Sequence, residues 1–301
     1  MTNATSVKTR LNNLAKQEGK TLQDNLVSYA MERSIYRLSI SKYSEHFVLK
    51  GGIFLYALFG REFPRATVDI DLLGQRVHNN PEEIAEIFRE VFSIYADDAL
   101  TYDMNSMVVK AITEFKKYHG VNVSITAHLD RTKIPVSIDI GFGDVIYPDC
   151  IEMDFPVLLN METPRINAYS IYSVIAEKFE AIVSLGLANS RYKDFYDIYQ
   201  IAKNLDLDGK ELKTAVIETF EHRRTGFDDI VAFNPDFTED TTHIQRWNAF
   251  TKKKRAIDNV ELSAVVSLIK DLLRPIVVSI KEDTGYELVW KAQEEQWINL
   301  S

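Results

Sequence analysis

Apolar residues recur along this chain with two periods, and the change from one to the other divides it. Thr21-Leu22-Gln23-Asp24 reads as a capping-box-like opening, with Asp where Glu or Gln is preferred, and predicts a helix to about Ser39. His46 to Leu49 is a short apolar strand or helix end. Gly52 to Phe59 predicts a short apolar helix, with Gly60 as its C-cap. Thr67 to Leu73 alternates and predicts a strand. Asn80-Pro81 marks a helix start, with Ile84, Ile87, Phe88, Val91 and Phe92 at helical spacing behind it. Val121, Val123, Ile125, Ala127 and Leu129 alternate, as do Val136, Ile138, Ile140 and Phe142. With Asp130 to Lys133 as a turn, they predict an antiparallel pair.

Past about Pro156 the alternation gives way to helical spacing. Ile171 to Leu185, Arg191 to Leu205, Gly209 to Glu221 and Val260 to Ile280 all predict helices, and Pro275 is expected to kink or end the last. No internal repeat or low-complexity tract interrupts the pattern. The expectation is an α+β fold: a mixed-sheet domain over 1–155 and a helical domain over 156–301.

Composition narrows the function classes. The 301 residues are 46% hydrophobic, enough to bury a substantial core, and 26% charged, ordinary for a soluble protein. The formal net charge is −9, which argues against coating nucleic acid as the main role yet leaves room for an enzyme with a local basic patch. Cys150 is the sole cysteine, so no disulfide can form within the chain. With a polar start and no apolar run long enough to span a bilayer, this leads to the expectation of a cytoplasmic protein.

Chemistry concentrates at a few positions. Asp69 and Asp71 share one face of the predicted strand, with Val68, Ile70 and Leu72 facing the core. Their Cα atoms would be roughly 6.6 Å apart. Paired hard oxygen donors suit Mg²⁺, although Asp-x-Asp considered alone is better explained by two solvated acids. Asp139, alone among Ile138 and Ile140 on the opposite face, could complete a metal site or act as a general base. An outward-facing strand aspartate explains it equally well. Lys50-Gly51-Gly52 opens a helix, and glycines there let backbone N–H groups approach a phosphate.

Lys178 lies at the centre of an apolar stripe. Ile171, Val174, Ile175, Ala181, Ile182 and Leu185 all fall within about 60° of it on a helical wheel. Such a position favours a cationic head reaching a polar cleft, where it could hold a triphosphate, over snorkelling. Asp194, near the start of the next helix, could orient Lys178 or a substrate group. Its spacing alone is better explained by the helix dipole. Lys252 to Arg255 and His222-Arg223-Arg224 are small basic clusters, and Trp247 with Phe250 reads as core. The six histidines have no zinc-type spacing.

In order and spacing, Leu49-Lys50-Gly51-Gly52, Arg65-x-Thr67-x-Asp69-Ile70-Asp71-Leu72, Asp139-Ile140-Gly141-Phe142-Gly143-Asp144, Ala176-Glu177-Lys178 and Arg191-x-Lys193-Asp194-x-x-Asp197 resemble the AbiEii/AbiGii nucleotidyltransferase-like toxins of type IV toxin–antitoxin systems. The resemblance implies a polymerase-β-like nucleotidyltransferase core with a helical C-terminal lobe. It implies Mg²⁺- or Mn²⁺-dependent transfer of a nucleotide from an NTP, with tRNA 3′ ends as acceptor, blocking translation in abortive infection and phage defence. It also implies a cognate winged-helix antitoxin encoded nearby that need not touch the toxin.

Residue by residue, the resemblance maps Gly51 and Gly52 onto the glycine motif and Asp69 and Asp71 onto the metal pair, with Asp139 a third metal carboxylate. Arg65 and Thr67 fall at nucleotide-binding positions. Lys178 and Asp194 match the later helical motifs. The wider superfamily usually has Gly-Ser where this chain has Gly-Gly, which leaves phosphate to backbone N–H groups. The site is then expected in a cleft joining the two halves. Rival readings are a nucleotidyltransferase acting on a small molecule such as an aminoglycoside, a glycosyltransferase, and a non-catalytic nucleotide-binding module.

Overall fold

Local sequence signals set the element boundaries in the computed structural model, which describes residues 2–112, 120–253 and 260–299. The chain forms two compact units, one of Met1–Asp144 with Cys150–Tyr169 and the other of Val145–Asp149 with Ser170–Ser301.

In the first unit, α1 (Ala4–Glu18) is capped by Asn3 and α2 (Leu22–Ser39) by Thr21. Asp24 closes the capping box despite its shorter side chain, accepting from the Thr21 N–H at 3.0 Å while the Thr21 hydroxyl accepts from the Asp24 N–H at 3.1 Å. β1 (Phe47–Lys50) runs directly into α3 (Gly51–Leu58), whose C-cap is Phe59, one place before the expected Gly60, which follows in the left-handed region. Then come β2 (Ile70–Gly74), α4 (Pro81–Ser93, capped by Asn80), β3 (Leu100–Ile112), β4 (Gly120–Leu129), β5 (Thr132–Phe142), β6 (Ile151–Asp154) and β7 (Arg165–Ala168).

The seven strands form one mixed sheet in the order β3-β4-β5-β2-β1-β7-β6. β2 pairs parallel with β5, and β1 with β7; the other neighbours are antiparallel. The predicted β4–β5 pair is present. Its turn is tighter than expected, with Asp130 at φ 53 and Thr132 already in the strand. Helices α2 and α4 cover one face of the sheet, burying Ile84, Phe88 and Val91 against β3 and β4, and the opposite face of β4 and β5 carries the polar alternates.

One expected strand is shorter than its alternation suggests. β2 begins at Ile70, so 66–69 precede the ladder and Val68 is exposed instead of facing the core. The long edge strand β3 carries no clean alternation and was not predicted. A register shift between Asp103 and Val108 breaks its period of two.

The second unit is largely helical: α5 (Ile171–Leu185), α6 (Tyr192–Asn204), β8 (Leu207–Asp208), α7 (Gly209–Arg223), α8 (Pro235–Glu239), α9 (Thr241–Lys253), α10 (Leu262–Lys281), β9 (Leu288–Lys291) and β10 (Gln296–Asn299). Helices α5, α6, α7 and α10 pack together, and β8, β9 and β10 form a small antiparallel sheet. Pro275 does not end α10, which continues to Lys281. Buried Leu272, Leu273, Ile276 and Val277 on both sides of the proline hold the helix against its neighbours. Trp247 is buried as expected, its indole N–H donating to the Val260 carbonyl at 2.8 Å. No described helix is long and apolar enough to cross a membrane.

Candidate active site

In the first unit, β1 ends at Lys50 and the chain turns at once into α3, with Gly51 at φ +66. That conformation favours glycine, and space demands it too. A Cβ on Gly51 would sit 2.2 Å from Oδ2 of Asp71, so the carboxylate lies directly over the glycine. Gly52 is crowded in the same way by Arg65, whose Nη2 would be 2.6 Å from an added Cβ. The pairing of β1 with β2 sets this up, because Lys50 is in register with Asp71.

The register continues across the sheet. Asp71 pairs with Asp139 on β5, and Asp139 with Asn122 on β4, so these side chains share one face. Asn122 Nδ2 donates to Asp139 Oδ1 at 2.6 Å and to Ser137 Oγ at 2.9 Å. Asp69 sits on the bend before β2, where the Thr67 hydroxyl donates to its backbone carbonyl at 3.3 Å. Both acids are partly exposed, whereas Arg65 is buried. Lys50 has its own anchor: Nζ is 2.7 Å from Asp144 Oδ2 and 3.3 Å from the Tyr169 hydroxyl.

In the second unit, Lys178 of α5 points into α6. Its Nζ is 3.0 Å from Asp194 Oδ1 and 2.8 Å from Asp197 Oδ2. Arg191 Nε donates to the other oxygen of Asp194 at 2.7 Å. Both aspartates are fully buried. Burial pushes the Asp194 carboxyl up, but the charges of Lys178 and Arg191 outweigh it and hold its pKa near about 2.

The model of the nucleotidyl transferase AbiEii toxin family of type IV toxin–antitoxin systems matches residues 33–262, well over half of the chain. The chain belongs to that family. This AbiEii-family protein is therefore a nucleotidyltransferase of a toxin–antitoxin system, and the expectation drawn from its motifs holds at that level. No curated protein sequence matches it. Two solved structures from Helicobacter pylori are similar: JHP933, at 13% identity and a TM-score of 0.47 over 85% of this chain and 93% of that one, and a candidate nucleotidyltransferase, at 14% and 0.48 over 85% and 96%. Neither likeness is close enough to bear on fold or activity.

The candidate residues singled out by the motifs fall into two groups, one in each unit. Gly51, Gly52, Arg65, Thr67, Asp69 and Asp71 gather around the β1–α3 and β2 starts, with Asp139 one strand over. Lys178 and Asp194 form the second group. Two partly exposed carboxylates suit a divalent cation such as Mg²⁺ that keeps waters and shares substrate phosphates. Among the described residues no three His, Cys, Asp or Glu side chains are grouped as a metal site, while Asp139 stands one strand over from Asp71 in direct register with it.

Two readings of the second group change. Lys178 meets two carboxylates within its own unit, where its position in the stripe suggested a head reaching into a polar cleft. Asp194 is more than a dipole partner, since it receives both Lys178 and Arg191. Intrahelical spacing could not show this, because the contact is made by packing α5 on α6. Asp197 and Arg191 were visible only as members of a motif. Of the small basic clusters, Arg223 is taken up by Glu180 at 2.9 Å and Glu177 at 3.4 Å. Lys254 and Arg255 of the other run lie outside the described residues.

Proposed function

We propose that this toxin transfers a nucleotide from an NTP to an RNA acceptor, the tRNA 3′ end, and so stops translation. The observation that carries the reading is the Asp71 carboxylate lying over Gly51 at the start of α3, inside the span matched by the nucleotidyltransferase family. In this reading the acceptor hydroxyl attacks the α-phosphorus, an O–P bond forms, and pyrophosphate leaves.

Asp69 and Asp71 are the donors for Mg²⁺ or Mn²⁺, which when bound supplies charge neutralisation to the reacting phosphoryl group. Backbone N–H groups of Gly51 and Gly52 bind phosphate oxygens at the helix start. Arg65, packed on Gly52, adds a cation beside them, and Thr67 braces the bend that carries Asp69. Asp139 is a carboxylate able to take the acceptor's proton. Lys178 brings positive charge to the triphosphate, and Asp194 and Asp197 orient it. The cognate antitoxin acts without an obligatory complex.

The test incubates the protein with each labelled NTP, Mg²⁺ and total RNA. Label in tRNA-sized bands is the expected result. A second reading, transfer to a cationic small molecule, is favoured by the net charge of −9. Label on a small molecule with none in RNA would establish it instead.

A further inference from the structure

We infer that the start of α6 is a phosphate-binding subsite built from Asn189 and Arg191; its place in the reaction rests on the nucleotidyl-transfer reading above. Asn189 is only 1% exposed. Its Oδ1 accepts from the Arg191 backbone N–H at 2.7 Å, which fixes the orientation of the amide and leaves Nδ2 as the donor. Among the described residues, that buried Nδ2 has no hydrogen-bond partner. Buried donors are almost always satisfied, and an orphan at the mouth of a helix points to an acceptor brought by a ligand.

Arg191 supplies the charge. The buried carboxylate of Asp194 grips its Nε at 2.7 Å, while the side chain remains 48% exposed. The side chain is thus anchored through Nε while about half of it faces solvent, a suitable arrangement for a guanidinium that binds phosphate oxygens. Lys178 on the same aspartate is 11% exposed, so Arg191 is the more accessible cation of the cluster.

Helix polarity adds to the case. Arg191 and exposed Lys193 place cations at the N-terminal end of α6, the wrong sign for its dipole, and the acid of the first turn, Asp194, is committed to Lys178 and Arg191. An anion there would compensate both cations and meet the first-turn N–H groups. The chemistry recognised is a phosphoryl group, from the triphosphate of the NTP or from the backbone of the RNA acceptor.

The test is calorimetric titration of the full chain with inorganic tripolyphosphate, together with transfer kinetics. Arg191→Gln and Asn189→Asp, which keeps the acceptor for the Arg191 N–H but removes the buried donor, should each weaken tripolyphosphate about tenfold or more, and Arg191→Lys should recover part of it. A raised KM for NTP with a smaller change in kcat identifies the triphosphate as the source, whereas a raised KM for RNA alone identifies the acceptor backbone. Unchanged tripolyphosphate affinity and unchanged KM values in folded variants would overturn the subsite. Arg191-dependent binding in a protein that labels no RNA would keep the subsite and reject the RNA-transfer reading.

Discussion

A methyl group added to Gly51 would lie 2.2 Å from Oδ2 of Asp71, closer than any non-bonded contact allows. The glycine is therefore matched to the carboxylate as well as to its own backbone. Gly51→Ala has two costs: the left-handed conformation, about 1–2 kcal/mol, and displacement of Asp71. Transfer should fall by roughly 10²-fold, as expected when a reacting group is misplaced by about an ångström. In Gly52→Ala the backbone needs no left-handed conformation and the new methyl meets the guanidinium end of Arg65, not the Asp71 carboxylate, so activity should fall less. Transfer rates and thermal unfolding of the two variants, measured side by side, check the order. An equal or larger loss in Gly52→Ala would mean that Gly51 is not kept small for Asp71.

Lys178→Met should destabilise the helical unit strongly. The methionine fits the apolar stripe, yet it leaves the buried Asp194 and Asp197 without their shared cation. Breaking a buried pair in this way costs about 3–5 kcal/mol. Adding Asp197→Asn to Lys178→Met should restore part of the loss by removing a stranded charge. Denaturant unfolding of the single and double variants measures both.

Stability at low pH should depend on Asp194. Its carboxyl is held near about 2 in the folded chain, against 3.8 as the ordinary value. Because the folded value is depressed, the stabilisation is fully present above 3.8 and is lost as pH falls through about 2. The contribution is on the order of 2 kcal/mol. Arg191→Gln, which removes one of the two cations, should move the acid-unfolding midpoint to higher pH, as followed by circular dichroism.

The sheet unit has a comparable buried charge centre. Asp98 accepts from Arg37 at 2.5 and 3.0 Å and from Arg33 Nε at 3.3 Å, and all three side chains are almost wholly buried. Asp98→Asn should cost about 3–5 kcal/mol by leaving two buried guanidinium groups undercompensated. Unfolding in denaturant measures it.

These charge centres mark the limit of what the sequence revealed. Helix positions were legible where one signal acted alone: Thr21 and Asp24 at the start of α2, Asn80 and Pro81 at that of α4, and the stripe of α5. The α+β class followed from the alternation of β4 and β5. Strand β3 was hidden because its register shift scrambles the period. Lys178 stood out as an unusual type for its position, and the glycine pair and the Asp69–Asp71 pair stood out by occurring together. Their partners did not, because Asp71 reaches Gly51 through β1–β2 register and Lys178 reaches Asp197 through helix packing, and neither relation has a spacing along the chain.

The most direct test of the central claim replaces Asp69 with Ala and measures transfer of labelled NTP to RNA in the presence of Mg²⁺. Asp69 lies on a bend outside the ladder, so the variant should fold with an unchanged circular dichroism spectrum. The account predicts that transfer is abolished in this folded protein. Near-normal transfer by Asp69→Ala would contradict the assignment of Asp69 and Asp71 as the pair that holds the metal.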